Sequence, residues 1–86
     1  MAKVIIYTTA TCPYCHMAKE LLSARKIPFD EIRVDLDASK MDEMLRLSNR
    51  RSVPQIFIND QSIGGYDDLA ALAKSGKLDD LLKSQS

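Results

Sequence analysis

The two cysteines and the single histidine of the chain all fall within Cys12-Pro13-Tyr14-Cys15-His16. That run fits three chemistries. C-x-x-C-H is the attachment signature of c-type haem, C-x-x-C with a nearby histidine can supply part of a zinc site, and C-x-x-C between a strand and a helix is a thiol–disulfide redox motif. Covalent haem needs export and an apolar pocket with an axial ligand, and His16 falls inside the helix that follows the motif. A structural zinc site needs four ligands, whereas Cys12, Cys15 and His16 give at most three; no metal is expected. Redox chemistry fits the context. A cysteine at a helix N-terminus meets unpaired backbone N–H groups and the positive end of the helix dipole, which favour the nucleophilic thiolate. Two intervening residues bring the second sulfur within disulfide reach around one helical turn. Cys12 is then the exposed attacking thiol, Cys15 the more buried resolving thiol, and Pro13 a stiffener of the turn. Tyr14 shapes the surface beside the sulfur, and His16 is an exposed helix residue.

The motif needs a strand before it and a helix after it. Lys3 to Thr8 is an apolar, β-branched run typical of a strand buried on both faces. Pro13 suits the first turn of a helix. Met17, Ala18, Leu21 and Leu22 form its apolar stripe, and Pro28 prevents its continuation. Ile32 and Val34 alternate with Glu31, Arg33 and Asp35, the pattern of a half-buried strand. Ser39 with Asp42 resembles a capping box ahead of a second stripe, Met41, Met44 and Leu45. Ser48 to Val53 reads as a loop. Gln55 to Ile58 and Gln61 to Ile63, joined by Asn59-Asp60, read as a hairpin. Gly64-Gly65 breaks the chain, Asp67 or Asp68 can cap a third helix with Leu69 and Leu72, and Gly76 ends it. Leu78, Leu81 and Leu82 make a last helical turn or two, and Ser84 to Ser86 is expected to fray. The order predicts an α/β fold: a parallel strand–helix–strand unit completed by a hairpin into a mixed four-stranded sheet, flanked by helices on both faces.

At 86 residues, one domain spanning 1–86 is the natural expectation. With 45% hydrophobic and 28% charged residues, the composition is that of a globular chain, not a disordered one. Twelve basic and twelve acidic side chains cancel, so no global basic field draws nucleic acid or an anionic membrane. Arg46, Arg50 and Arg51 read as cations at a helix end. The longest apolar runs are too short for a membrane span, and "MAKVIIYTTAT" lacks the features of a signal peptide. A cytoplasmic location is therefore expected, where two cysteines argue against a structural disulfide scaffold.

Three stretches together make the chain resemble the glutaredoxin family, specifically its small bacterial dithiol class. "TCPYC" (Thr11 to Cys15) resembles the dithiol motif. "SVPQIFI" (Ser52 to Ile58) resembles the T-V-P segment, in which the proline is cis. "IGGYDDL" (Ile63 to Leu69) resembles the glycine-pair and acidic turn that binds glutathione. The similarity runs from about Ala2 to Lys83, with the motifs in family order.

The resemblance implies a thioredoxin-like fold and glutathione as reductant, with no metal or prosthetic group. It implies that the Val53 backbone, just before Pro54, pairs with the cysteinyl part of glutathione as a short antiparallel strand. The N–H groups of Tyr66 and Asp67, after Gly65, would hold the γ-glutamyl carboxylate, and Asp68 would pair with the ammonium. Two positions depart from the family pattern. Thr9 stands where many members have a lysine, and Met41, beside Lys40, stands where many have a polar or basic residue; Lys40 or Arg51 is the replacement cation the sequence offers. The implied function is reduction of protein disulfides and protein–glutathione mixed disulfides by a monomer, with ribonucleotide reductase among the implied clients. The rival readings are a thioredoxin-like reductant served by thioredoxin reductase, a glutathione-ligated iron–sulfur module, and a structural zinc module.

Overall fold

The computed structural model describes residues 3–83. The elements run β1 (Val4–Thr8), α1 (Pro13–Ala24), β2 (Asp30–Arg33), α2 (Ala38–Ser48), β3 (Gln55–Ile58), β4 (Gln61–Gly64), α3 (Tyr66–Ser75) and α4 (Lys77–Lys83). They build one four-stranded sheet in the order β2-β1-β3-β4. β1 is parallel to β2 and antiparallel to β3, and β3 is antiparallel to β4. This is the thioredoxin-like mixed sheet that the motif order implied.

Alternation along β1 divides the core. Val4 and Ile6 pack on one face with Ala18 and Leu22 of α1, Leu69 and Ala73 of α3, and Leu78 of α4. Tyr7 packs on the other with Met44 of α2 and Phe57 of β3. A strand whose successive side chains enter two apolar layers has no solvent face, hence its unbroken apolar run. The tight turn of the hairpin places Asn59 at φ 53° and Asp60 at φ 67°, the left-handed pair that a type I′ connection requires.

Local chemistry shifts several expected boundaries. α1 stops before Pro28. Lys26 turns left-handed at φ 59°, its N–H donates to the Ser23 carbonyl at 3.0 Å, and the Ile27 N–H donates to the Leu22 carbonyl at 2.9 Å. That is a Schellman ending, with Ile27 and Leu22 buried together. Met17 leaves the expected α1 stripe and is 43% exposed, because Cys15, Ala18 and Leu22 define the inward face. β2 ends at Arg33, earlier than the alternation predicted. The Arg33 guanidinium grips the Asp35 carboxylate at 2.7 and 2.6 Å, and Asp35 also accepts the Ala10 N–H, which curls the chain out of the sheet. The α2 cap is Asp37, not Ser39: the Asp37 carboxylate accepts both the N–H and the hydroxyl of Ser39, at 2.9 and 2.6 Å. The N-cap of α3 is Gly65, not Asp67 or Asp68. The expected fraying at Ser84 to Ser86 lies outside the described residues.

Candidate active site

Cys12 occupies the N-cap of α1 with an extended backbone, and Pro13 takes the first helical position. The Cys12 sulfur accepts the Cys15 N–H at 3.1 Å, so the thiol performs the capping that Ser or Asp usually performs. Its own S–H points at the Val53 carbonyl, 3.6 Å away. Cys12 is 8% exposed and Cys15 1%, so the first cysteine is the more accessible, though it is largely covered rather than exposed as the sequence suggested. Burial pushes the Cys15 thiol up to about 12. The hydrogen bond with Cys12 adds to this, while the Thr9 N–H and the Lys19 charge oppose it. His16 is exposed on α1.

The far wall is the loop that enters β3. The Val53–Pro54 peptide is cis. Behind it, the Gln55 side chain is fully buried, and its Nε2 donates to the Ser52 carbonyl at 2.8 Å and to the Ser52 hydroxyl at 3.3 Å. Gln55 thus pins the segment that carries Val53. In the sequence Gln55 reads only as the start of a strand. A lone amide opening the otherwise apolar "QIFI" was the available signal.

The third wall is the start of α3. Gly64 adopts φ +117°, and a Cβ there would collide with the Asp68 carboxylate. Gly65, as a cap without a side chain, offers no acceptor to the first N–H groups of the helix. Instead the Asp68 carboxylate reaches back to the Gly65 N–H at 3.1 Å, and the Arg50 guanidinium stands 3.5 Å from the same carboxylate. The Tyr14 and Tyr66 rings lie 6.2 Å apart at a tilt of 31°.

These walls enclose a cleft of about 290 Å³, lined by Tyr14, Arg50, Ser52, Val53, Pro54, Gly65, Tyr66, Asp67 and Asp68. Of the residues named from the sequence for ligand contact, Tyr14, Val53, Pro54 and Gly65 to Asp68 are in that lining, and the two replacement cations, Lys40 and Arg51, are not. Arg50 is the cation present. Lys40 is 3.6 Å from Glu43 on α2, and Met41 packs into the α2-side core. A larger cleft of about 610 Å³ lies between β4, α3 and α4; neither cysteine lines either cleft, but Val53, which accepts the Cys12 S–H, lines only the smaller one. Among the described residues no cluster of three or more His, Cys, Asp or Glu side chains is arranged for a metal ion, and no helix is long and apolar enough to cross a membrane.

The glutaredoxin family model matches residues 4–63, which include the dithiol motif, the Val53–Pro54 loop and the hairpin. This chain belongs to the glutaredoxin family. It is 57% identical over 83 residues to glutaredoxin 3 of Escherichia coli strain K12, covering 96% of this chain and 100% of that one. The solution structure of glutaredoxin from Brucella melitensis superposes with a TM-score of 0.87 at 46% identity, covering 100% of this chain and 94% of that one. A buckwheat glutaredoxin–glutathione complex superposes with a TM-score of 0.87 at 25% identity, covering 95% of this chain and 77% of that one.

Proposed function

We infer that this protein is a glutathione-dependent thiol–disulfide oxidoreductase that reduces protein disulfides and protein–glutathione mixed disulfides through Cys12 and Cys15. The observation that carries this is the cleft that opens beside the Cys12 cap, with the Val53 backbone on one wall and the α3 N-terminus on another. Family membership supports glutathione as the reductant.

On this reading the Cys12 thiolate attacks one sulfur of a client disulfide, and the client's other sulfur leaves as a thiolate. Cys15 then attacks the Cys12 sulfur, freeing the client and leaving a Cys12–Cys15 disulfide. One glutathione opens that bond by joining Cys12, and a second releases Cys12 as glutathione disulfide forms. With a glutathionylated client, Cys12 takes the glutathione directly and the second glutathione suffices. Glutathione lies along Val53 and Pro54 as an added strand. Its γ-glutamyl carboxylate meets the Tyr66 and Asp67 N–H groups and its ammonium meets Asp68. Arg50 is the cation for a ligand carboxylate, and the Tyr14–Tyr66 pair forms an apolar flank. The chain acts as a monomer in the reducing cytoplasm, on clients of which ribonucleotide reductase is one.

A coupled assay tests the reading. Glutathione with glutathione reductase should sustain NADPH oxidation on a glutathione mixed-disulfide substrate. Turnover supported by thioredoxin reductase alone would overturn it.

A further inference from the structure

We propose that Lys19 is a positioning residue for the resolving step: its ammonium, anchored by Glu31 and Thr8, sits one turn along α1 from Cys15 and stabilises the thiolate with which Cys15 attacks. The inference rests on Cys15 being the resolving thiol.

Lys19 follows Cys15 by four residues, so the two share a helix face. Helical side chains lean toward the N-terminus, which carries the long lysine stem back toward the cysteine. The Lys19 ammonium lies 2.9 Å from Glu31 Oε2 on β2, and the same oxygen accepts the Thr8 hydroxyl at 2.6 Å. Thr8 is fully buried at the end of β1, and the backbone of the next residue, Thr9, favours the ionised form of Cys15. Lys19, Glu31 and Thr8 thus link α1, β2 and β1, with Cys15 one turn back along α1.

The site needs such support. Cys15 is held neutral by burial and by its hydrogen bond with Cys12, and Lys19 is the charged side chain that opposes this. Of the other groups around it, Arg33 on β2 is committed to Asp35, and α3 contributes Leu69 and Ala73 with Tyr66 at the edge of the layer. Glu31 is itself held ionised by Thr8 and Lys19, which makes it an anchor rather than a base.

The step balances without a further reactant. Cys15 gives its proton to solvent and its sulfur attacks the Cys12 sulfur of the mixed disulfide. The bond from Cys12 to the client sulfur breaks, and the departing thiolate takes up a proton. Cys15 is oxidised and the client sulfur is reduced.

The two steps separate when reduced protein reacts with 5,5′-dithiobis(2-nitrobenzoate). Cys12 attack releases one coloured thionitrobenzoate, and Cys15 resolution releases a second. Lys19→Met should slow the second release about fivefold relative to the first at neutral pH, and move its pH profile upward. Lys19→Arg should restore both, and Glu31→Gln, which frees the cation without removing it, should give a smaller slowing. A second release in Lys19→Met with the wild-type ratio and pH profile would overturn the proposal, as would slowing without a pH shift or without rescue by Lys19→Arg. The mass of the wild-type product tests the underlying assignment separately: an internal Cys12–Cys15 disulfide carries no thionitrobenzoate, and a product that keeps one on each sulfur would mean that Cys15 is not the resolving thiol.

Discussion

Because the Cys12 sulfur caps α1 from outside while the Cys15 sulfur lies within it, substitution can separate the two thiols. Cys12→Ser should abolish reduction of protein disulfides and of glutathione mixed disulfides alike, since the only other thiol is buried. Cys15→Ser should retain deglutathionylation, where free glutathione completes the reaction, and lose reduction of protein disulfides. Equal losses for Cys15→Ser in both assays would contradict the division of labour. Asp68 is a harder case, because it holds the Gly65 N–H as well as facing the cleft. Asp68→Asn keeps an acceptor and removes the charge, so it should raise the Michaelis constant for glutathione with little change in melting temperature. Asp68→Ala should in addition cost about 1 kcal/mol of stability, or roughly 4–8 °C in a domain of this size. A fixed Michaelis constant in both variants would remove Asp68 from the ligand's contacts. The lining of the cleft was legible in the sequence wherever a residue stood in a motif: Tyr14, Val53, Pro54, Gly65 to Asp68. Arg50 and Gln55 were not, because no spacing rule tells which of two adjacent arginines turns inward, or that an amide at the start of a strand is holding the preceding loop.

Between elements, polar contacts set the register of packing. The Tyr7 hydroxyl on β1 donates to the Glu43 carboxylate on α2 at 2.7 Å. Burial, with Glu43 adjacent, raises Tyr7 to about 12, and the same bond lowers Glu43. The signs give two pH windows. Tyr7 keeps its proton more tightly when folded, so its contribution is complete below about pH 10 and is lost as pH rises toward 12. Glu43 binds its proton less tightly when folded, so its contribution is complete above about pH 4.3 and fades as pH falls. Tyr7→Phe should therefore flatten the alkaline loss of stability in denaturant titrations across pH, relative to wild type. An unchanged alkaline slope would show that the hydrogen bond does not persist in solution. Element order and type were readable from periodicity and turn residues, whereas ends were displaced wherever a side chain competed with the backbone pattern. Asp37 outbid Ser39 as a cap, Asp35 curled β2, and Lys26 ended α1 before the proline. Each displacement depends on a contact that one-dimensional spacing does not encode.

Two thin apolar layers hold the chain together, and β1 belongs to both. Leu69, fully buried in the layer shared by α1 and α3, should cost about 2–5 kcal/mol on truncation to Ala. Since Leu69 is close in sequence to Tyr66 and Asp67, that variant should also lose glutathione affinity as α3 loosens, and the loss should be smaller at low temperature. If affinity and stability proved independent in Leu69→Ala, the α3 N-terminus would have to be held by the Gly64–Gly65 turn alone. The mixed four-stranded sheet and the placement of helices on both faces followed from the sequence because β1 reads as doubly buried while the helices carry single stripes; the strand order β2-β1-β3-β4 did not, because it depends on which edge of β1 the hairpin joins.

The Arg50–Asp68 pair has a further consequence. Facing each other at 3.5 Å across the mouth of the cleft, the two charges already neutralise one another. A guest that carries both an ammonium and a carboxylate enters by exchanging partners, cation for cation and anion for anion, and it releases or recruits almost no small ions. A guest with a single charge leaves either the guanidinium or the carboxylate stranded. Because both side chains are about half exposed, parting them costs no more than about 1 kcal/mol, so the swap is cheap for the first guest and unrewarded for the second. The logarithm of glutathione affinity plotted against the logarithm of salt concentration should be close to flat for the native protein and acquire a slope in Arg50→Gln. A steep slope in the native protein would mean that the mouth is not self-compensated.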